Sequence, residues 1–231
     1  MENKKVGLAG IGKLGTAMMA HWNRSNMPIG IYHPNRIKAK QFIQGFSNCS
    51  LLTEQELKGM DIIIFALPAG RVIPFMENIW KEGDSSSASF INMATALPTA
   101  KIREKFPVYN WYGIKYMGHS RDLYEHGNGL FITEDHLPDP ILNLFKPLGQ
   151  IINEKEEKLV EINKLATYFA VKTAVEIEND FSKKGYPPAY IKRALTSLAP
   201  EVIRSYSEGN LGHFAQEIVK EIQETNKKDA D

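Results

Sequence analysis

Six consecutive residues near the N-terminus, Gly10-Ile11-Gly12-Lys13-Leu14-Gly15, have the types and spacing needed to hold a pyrophosphate. In the pattern G-x-G-x-x-G the first glycine permits a tight turn and the second lets the backbone come close to phosphate oxygens. The third lets a helix pack closely on a strand. The N–H groups that open that helix add hydrogen-bond donors and a positive dipole end. Three glycines alone are a weak signal, but here the context fits: a strand-like run over Lys5–Ala9 precedes them, and a helical pattern follows from Thr16 to Arg24. A second apolar run comes next, at Pro28–Tyr32. That strand, turn, helix and strand predict a dinucleotide site.

The end of the second run bears on which dinucleotide. A site for NAD places Asp or Glu about twenty residues past the glycines, to accept from the ribose hydroxyls. Here the chain reads Tyr32-His33-Pro34-Asn35-Arg36-Ile37-Lys38, without a carboxylate. Asn35, Arg36 and Lys38 offer donors to a 2′-phosphate, with His33 beside them. The expected cofactor is therefore NADP(H), with NAD(H) as the alternative. Further contacts are expected from Leu67-Pro68 and from Met93-Ala94-Thr95, which follow the apolar runs Asp61–Leu67 and Ser89–Ala94 on the carboxyl edge where open α/β sheets bind ligands. Asn92 and Thr95 also suit ordinary turns.

Candidates for substrate chemistry cluster where the run Val108–Ile114 passes into Lys115-Tyr116-Met117-Gly118-His119-Ser120-Arg121. Lys115 or His119 could give a proton to a carbonyl or imine as hydride arrives, and Arg121 could hold a carboxylate. Asn163 and Lys164 are further polar groups that could reach the cleft, whereas Lys172 reads as a solvated charge. Other chemistries find little support. The six histidines show no paired spacing for a metal, and the glycine loop lacks the Gly-Lys-Ser/Thr ending of a phosphate-transfer loop. Cys49 is the only cysteine, has no evident base partner, and reads as a half-buried loop or strand residue.

The elements that must position these residues alternate along the chain. Strand-like runs at Lys5–Ala9, Pro28–Tyr32, Asp61–Leu67, Ser89–Ala94, Val108–Ile114, Gly129–Thr133 and Gly149–Asn153 are separated by helical patterns at Lys13–Asn26, Asn35–Gly45, Ala69–Lys81, Pro98–Lys105 and Asp135–Phe145. Several runs are continuously apolar, as strands covered on both faces should be. This predicts an α/β fold with a doubly wound, mostly parallel sheet over residues 1–153, followed by a smaller all-helical domain over 154–231. In the latter, Glu154–Lys183 reads as one long helix with an apolar stripe that includes Leu165, Phe169 and Ile177. Gly185-Tyr186-Pro187-Pro188 ends it. Helices over Ala189–Tyr206 and Leu211–Gln223 and a frayed tail at Asn226–Asp231 are expected beyond.

Twenty-eight Lys and Arg against 27 Asp and Glu leave a net charge of +1, so nothing points to nucleic acid. No apolar run approaches the ~20 residues that cross a bilayer, and the first strand begins directly after Lys4, which predicts a cytoplasmic protein. A helical appendage this small cannot cover a long striped helix alone, so a homodimer through the C-terminal helices is expected.

The glycine loop, the tail of the second strand, Phe65-Ala66-Leu67-Pro68 and the order of later strands resemble the N-terminal domain shared by pyrroline-5-carboxylate reductases and deazaflavin-dependent NADP oxidoreductases. The resemblance covers residues 4–153. In that family the second strand ends Asn-Arg-Ser/Thr-Pro-Glu-Lys-Ala. Matching Lys38-Ala39 puts His33 and Pro34 over the Asn-Arg pair and Asn35 over Ser/Thr, with Arg36 two residues beyond the family arginine. The family's Val-Lys-Pro is shortened here to Leu67-Pro68. Neither the Gly-Ser-Gly-Pro-Ala-Tyr nor the Gly-Gly-Thr-Thr segment of the imino-acid site occurs. The resemblance implies hydride transfer to or from a small imine, carbonyl or deazaflavin-type acceptor. The alternative is a non-catalytic NADP(H)-binding sensor that has lost its substrate site.

Overall fold

The computed structural model describes residues 4–81 and 83–228. In chain order the first elements are β1 (Val6–Ala9), α1 (Lys13–Arg24), β2 (Ile29–Tyr32), α2 (Arg36–Ile43), β3 (Cys49–Leu51) and α3 (Glu54–Lys58). They are followed by β4 (Ile62–Phe65), α4 (Ala69–Ile79), β5 (Ser89–Asn92), α5 (Thr99–Lys105) and β6 (Asn110–Gly113). The six strands form one parallel sheet in the order β3-β2-β1-β4-β5-β6. The order reverses beside β1, which opens a crevice at the carboxyl ends of β1, β2 and β4.

The continuous apolar runs are explained by cover on both faces. Along β4, Ile62 and Ile64 join the cluster of Leu8, Met18, Trp22 and Phe145, while Ile63 and Phe65 join Val72, Met76, Phe90 and Trp111 on the other face. Successive side chains of a strand point to opposite faces, so a run with two buried faces cannot alternate with polar residues. Phe65 is central to the second cluster, its ring centroid 5.3 Å from Trp111 and 6.0 Å from Phe90.

The sequence predicts one sheet, and the described residues form two. β7 (Lys115–Met117), α6 (Ser120–His126), β8 (Gly129–Thr133), α7 (Asp139–Phe145) and β9 (Gly149–Asn153) build a separate three-stranded sheet in the order β7-β8-β9, with β7 antiparallel to β8. The run Val108–Ile114 therefore begins only at Asn110, and the segment after it, read as a loop, is a strand and a helix. Two elements before β4 escape the sequence pattern: β3 is a half-buried edge strand of three residues, and α3 is five residues held by a capping box between Thr53 and Glu56. Cys49 lies half-buried on β3, as its setting in the sequence suggests. α7 starts at Asp139 rather than Asp135, because Pro138 precedes it and Asp135 is bound elsewhere.

Residues 156–183 form α8 (Glu156–Lys183), 28 residues long. Beyond it come α9 (Pro188–Arg193), a π-helical turn (Ala194–Leu198), α10 (Ala199–Ser207) and α11 (His213–Lys228). The single helix expected over Ala189–Tyr206 is interrupted because Pro200 has no N–H to donate and its ring would crowd the carbonyl four residues back. The wider π turn just before it accommodates both. α11 continues to Lys228, where fraying is expected from Asn226, and residues 229–231 lie outside the described residues. The chain divides into two compact units, the first ending at Lys164 and the second beginning at Leu165. In the second unit Ala194 alone among the described residues is buried. Leu165, Tyr168, Phe169 and Val171 of α8 are each more than half exposed.

Candidate functional site

The loop between β1 and α1 shows what each glycine does. Gly10 has φ +124°, and a side chain there would collide with the Ala66 carbonyl at the end of β4. A side chain at Gly15 would collide with the carbonyl of Gly10 itself, so Gly10 fixes the loop against the end of β4 and Gly15 closes the loop on itself. Gly12 differs. It is the N-cap residue of α1 with an ordinary φ of −76°, and nothing lies within 4 Å of where its Cβ would be. The space above Gly12 is open, and the first-turn N–H groups of α1 beside it have no acceptor within the helix. Ile11 and Leu14 are half-buried against the core, and Lys13 is exposed on the first turn.

A cleft of about 380 Å³ opens beside this loop, between the tail of β2 and α4. Gly10, His33 and Leu67 line it, so three of the residues singled out from the sequence are brought together. Tyr32, Pro34, Pro74 and Phe75 add apolar surface, with the Tyr32 and Phe75 rings 5.7 Å apart. The tail of β2 is tied by local hydrogen bonds. The Asn35 N–H donates to His33 Nδ1 at 3.0 Å, and Asn35 Oδ1 in turn accepts from the Lys38 N–H at 3.0 Å, capping α2. Arg36 and Lys38 are exposed on the first turn of α2 and do not line the cleft. Four lining residues have no signal in the sequence pattern: Arg71, on the first turn of α4, and Pro74, Phe75 and Asn78 beyond it on the same helix. Pro68 precedes that helix as its N-cap residue.

At the end of β5, Asn92 is fully buried and builds the following turn. Its amide donates to the Leu97 carbonyl at 2.9 Å and to Thr99 Oγ1 at 3.0 Å, and its oxygen accepts from the Ala94 N–H at 3.0 Å. Met93 and Ala94 are buried beneath this turn. Thr95 lines a second, smaller cavity of about 180 Å³ with Thr99, Arg103, Asp135 and Glu156.

Lys115 lies under the same turn and has no exposed surface. Its Nζ donates to the carbonyls of Ala94 at 2.8 Å and Leu97 at 3.0 Å, and sits 3.7 Å from Glu156 Oε2 on the first turn of α8. Glu156 is held in place by Thr99, whose N–H and hydroxyl donate to its two oxygens at 3.0 and 2.6 Å. Burial pushes the Lys115 ammonium down to about 8, against the opposing pull of the Glu156 and Asp135 carboxylates. Asp135 is itself paired with Arg103 at 2.6 Å and accepts from the Gly113 N–H at 2.8 Å.

The second candidate proton donor has the opposite setting. His119 is exposed and caps α6, its Nδ1 accepting from the Arg121 N–H at 3.3 Å. Arg121 extends outward and pairs with Glu125 at 2.7 Å. Asn163 is half-buried, Lys164 is exposed, and Lys172 faces Glu176 at 3.8 Å. Among the described residues no group of three or more His, Cys, Asp or Glu is gathered in a way that could hold a metal ion. No described helix is long and apolar enough to cross a membrane.

Residues 5–107 match the family model described as the NAD binding domain of 6-phosphogluconate dehydrogenase. No curated protein matches the chain in sequence. Among solved structures, Plasmodium falciparum pyrroline carboxylate reductase with NADP bound superposes with a TM-score of 0.61 at 19% identity, over 96% of this chain and 85% of that one. A reductive aminase from Aspergillus terreus in complex with NADPH and ethyl-5-oxohexanoate gives 0.61 at 11% identity, over 90% of this chain and 78% of that one. An imine reductase from Aspergillus terreus in complex with NADPH4 and dibenz[c,e]azepine gives 0.62 at 12% identity, over 90% and 75%. At these identities the likeness is one of fold: a parallel Rossmann sheet of the NAD(P)-binding type followed by a helical C-terminal region.

Proposed function

We propose that this chain is an NADP(H)-dependent oxidoreductase acting on a small imine or carbonyl compound, with a deazaflavin-type acceptor as a further member of the substrate class. The observation that carries the reading is the contrast within the glycine loop, closed by Gly10 and Gly15 and open at Gly12 beside the unpartnered first turn of α1. A pyrophosphate fits that opening, because the backbone there is exposed and free of side chains. The residues that would hold the cofactor are Gly10 to Gly15, His33, Asn35, Leu67 and Pro68, with Met93, Ala94 and Thr95 shaping the turn after β5. When bound, the nicotinamide supplies the hydride chemistry. The protein must then orient the ring, exclude water and deliver a proton. His119 is the better proton donor of the two candidates, since it is exposed where Lys115 is enclosed, and an Nδ1 that accepts from backbone leaves Nε2 as the nitrogen to bear a proton. Lys115 acts as a positioning residue under the turn.

The imine and carbonyl assignment is supported by the fold shared with the reductive aminase, the imine reductase and the pyrroline carboxylate reductase. A homodimer through the C-terminal helices is part of the same reading. Its support is the row of exposed Leu165, Tyr168, Phe169 and Val175 on α8, an apolar surface that monomers seldom leave in water. The test is loss of NADPH absorbance against a panel of cyclic imines, ketoacids, ketones with amines, and deazaflavins. Turnover with one class supports the reading and names the substrate. Tight NADPH binding with no turnover on any of them replaces it with a non-catalytic NADP(H) sensor.

A further inference from the structure

We infer that Arg71, on α4, is the residue that selects for the 2′-phosphate of NADP(H), in place of a cation on the tail of β2. This inference rests on the NADP(H) reading above and assigns its specificity to one side chain. The cleft beside the glycine loop is walled by Tyr32, Pro34 and Phe75, and Arg71 is the one charged residue among the described residues that line it. Apolar walls with a single guanidinium match an adenosine 2′-phosphate: flat surface for the base and a planar fork of donors for the phosphate.

Two features of Arg71 itself point the same way. It is exposed, at the third position of α4, and no acidic residue lies in that first turn or among the residues lining the cleft. A cation at the positive end of a helix is disfavoured unless an anion compensates it, and a bound phosphate would do so. The alternatives are poorly placed. Arg36 and Lys38 stand outside the cleft lining. The position of Arg71 opposite His33 and Pro34 also explains how the chain can lack an arginine directly after β2 without lacking a cation there.

Isothermal titration of the purified protein with NADPH, NADH, adenosine 2′-monophosphate and adenosine 5′-monophosphate tests this without any turnover. In Arg71→Gln the Kd for NADPH and for the 2′-monophosphate should rise about ten- to a hundredfold, the range expected for losing charge-assisted hydrogen bonds. Kd for NADH should stay within about twofold, and Arg36→Ala should change NADPH binding less than Arg71→Gln does. Equal losses for NADPH and NADH, or an unchanged NADPH affinity, overturn the inference. A wild-type protein that binds NADH as well as NADPH removes the NADP(H) reading and this inference with it. A wild type that prefers NADPH, with the preference intact in Arg71→Gln, removes the inference alone. Should Arg71→Gln fail to fold by circular dichroism, Arg71→Lys decides: an NADPH affinity between wild type and none supports the assignment, and wild-type affinity overturns it.

Discussion

Lys115 on β7 and Glu156 on α8 face each other at 3.7 Å across the turn that leaves β5, and each is bound to a different part of that turn. The lysine takes the carbonyls of Ala94 and Leu97, and the carboxylate takes the backbone and hydroxyl of Thr99. The turn is thus clamped from below by a cation and from the side by an anion. Met93, Ala94 and Thr95 lie within it.

Removing one partner should cost more than removing both. Glu156→Ala leaves a buried ammonium without its carboxylate and strips two hydrogen bonds from Thr99, a loss of roughly 3–5 kcal/mol. Lys115→Met with Glu156→Ala should recover part of that, because the buried cation is removed together with its carboxylate. Urea unfolding of the two single variants and the double variant measures the coupling, and strict additivity would show that the pair does not act as a unit.

The same lysine predicts a rise of stability with pH. Its pKa is about 8 in the fold against 10.5 for an ordinary lysine, so between those values the unfolded chain binds more protons than the native one. Below about pH 8 both states carry the charge, and the full cost of burying it is present. Stability should therefore climb between about pH 8 and 10, by on the order of 3 kcal/mol at most. Buried Tyr32, Tyr109 and Tyr116 have raised pKa values and oppose the climb only as the unfolded tyrosines begin to ionise near 10. The difference between wild type and Lys115→Met, followed by urea unfolding across this range, isolates the lysine.

Gly12→Val should abolish NADPH binding and leave the fold intact. The new side chain finds open space and an ordinary φ, so circular dichroism and melting should stay close to wild type. It would occupy the approach to the first turn of α1. Wild-type NADPH affinity in this variant would reduce the glycine loop to a structural turn.

Replacing both Phe169 and Ile177 with Asp should dissociate the dimer or unfold the second unit. Phe169 is 55% exposed in the single chain and Ile177 half-buried, so within one subunit the charges would mostly meet water. In a dimer seam they would be desolvated at several kcal/mol. Light scattering decides it: a wild-type mass near 26.1 kDa removes the dimer, and an unaltered dimer in the double variant removes the seam.

The parts of this protein legible in its sequence are those fixed by local pattern. Three glycines at set spacing, the run Ile62–Phe65 buried on both faces, and a long helix without Pro or Gly each specify their element without reference to the rest of the chain. β3 and α6 were illegible for the same reason in reverse: β3 is an edge strand carrying exposed Ser50, and α6 carries Ser120, Arg121, Asp122 and Glu125 in seven residues, with its histidine cap visible only in the geometry. The roles of Lys115 and Arg71 depend on tertiary neighbours. Lys115 looks like a loop cation until β7 draws it beneath the β5 turn and meets Glu156, 41 residues away. Arg71 looks like a solvated helix residue until α4 is laid against the tail of β2.

The tight packing of Gly10 on Ala66 and of Gly15 on Gly10, with Gly12 standing clear of both, separates two selection pressures that a glycine motif ordinarily merges. A library randomised at the three positions and screened for soluble expression alone should return glycine at 10 and 15 and a broad set of residues at 12. The same library screened by retention on an immobilised nucleotide should return glycine at all three. Drift at position 12 in otherwise well-folded descendants of this chain would therefore record the moment at which ligand binding ceased to matter to them.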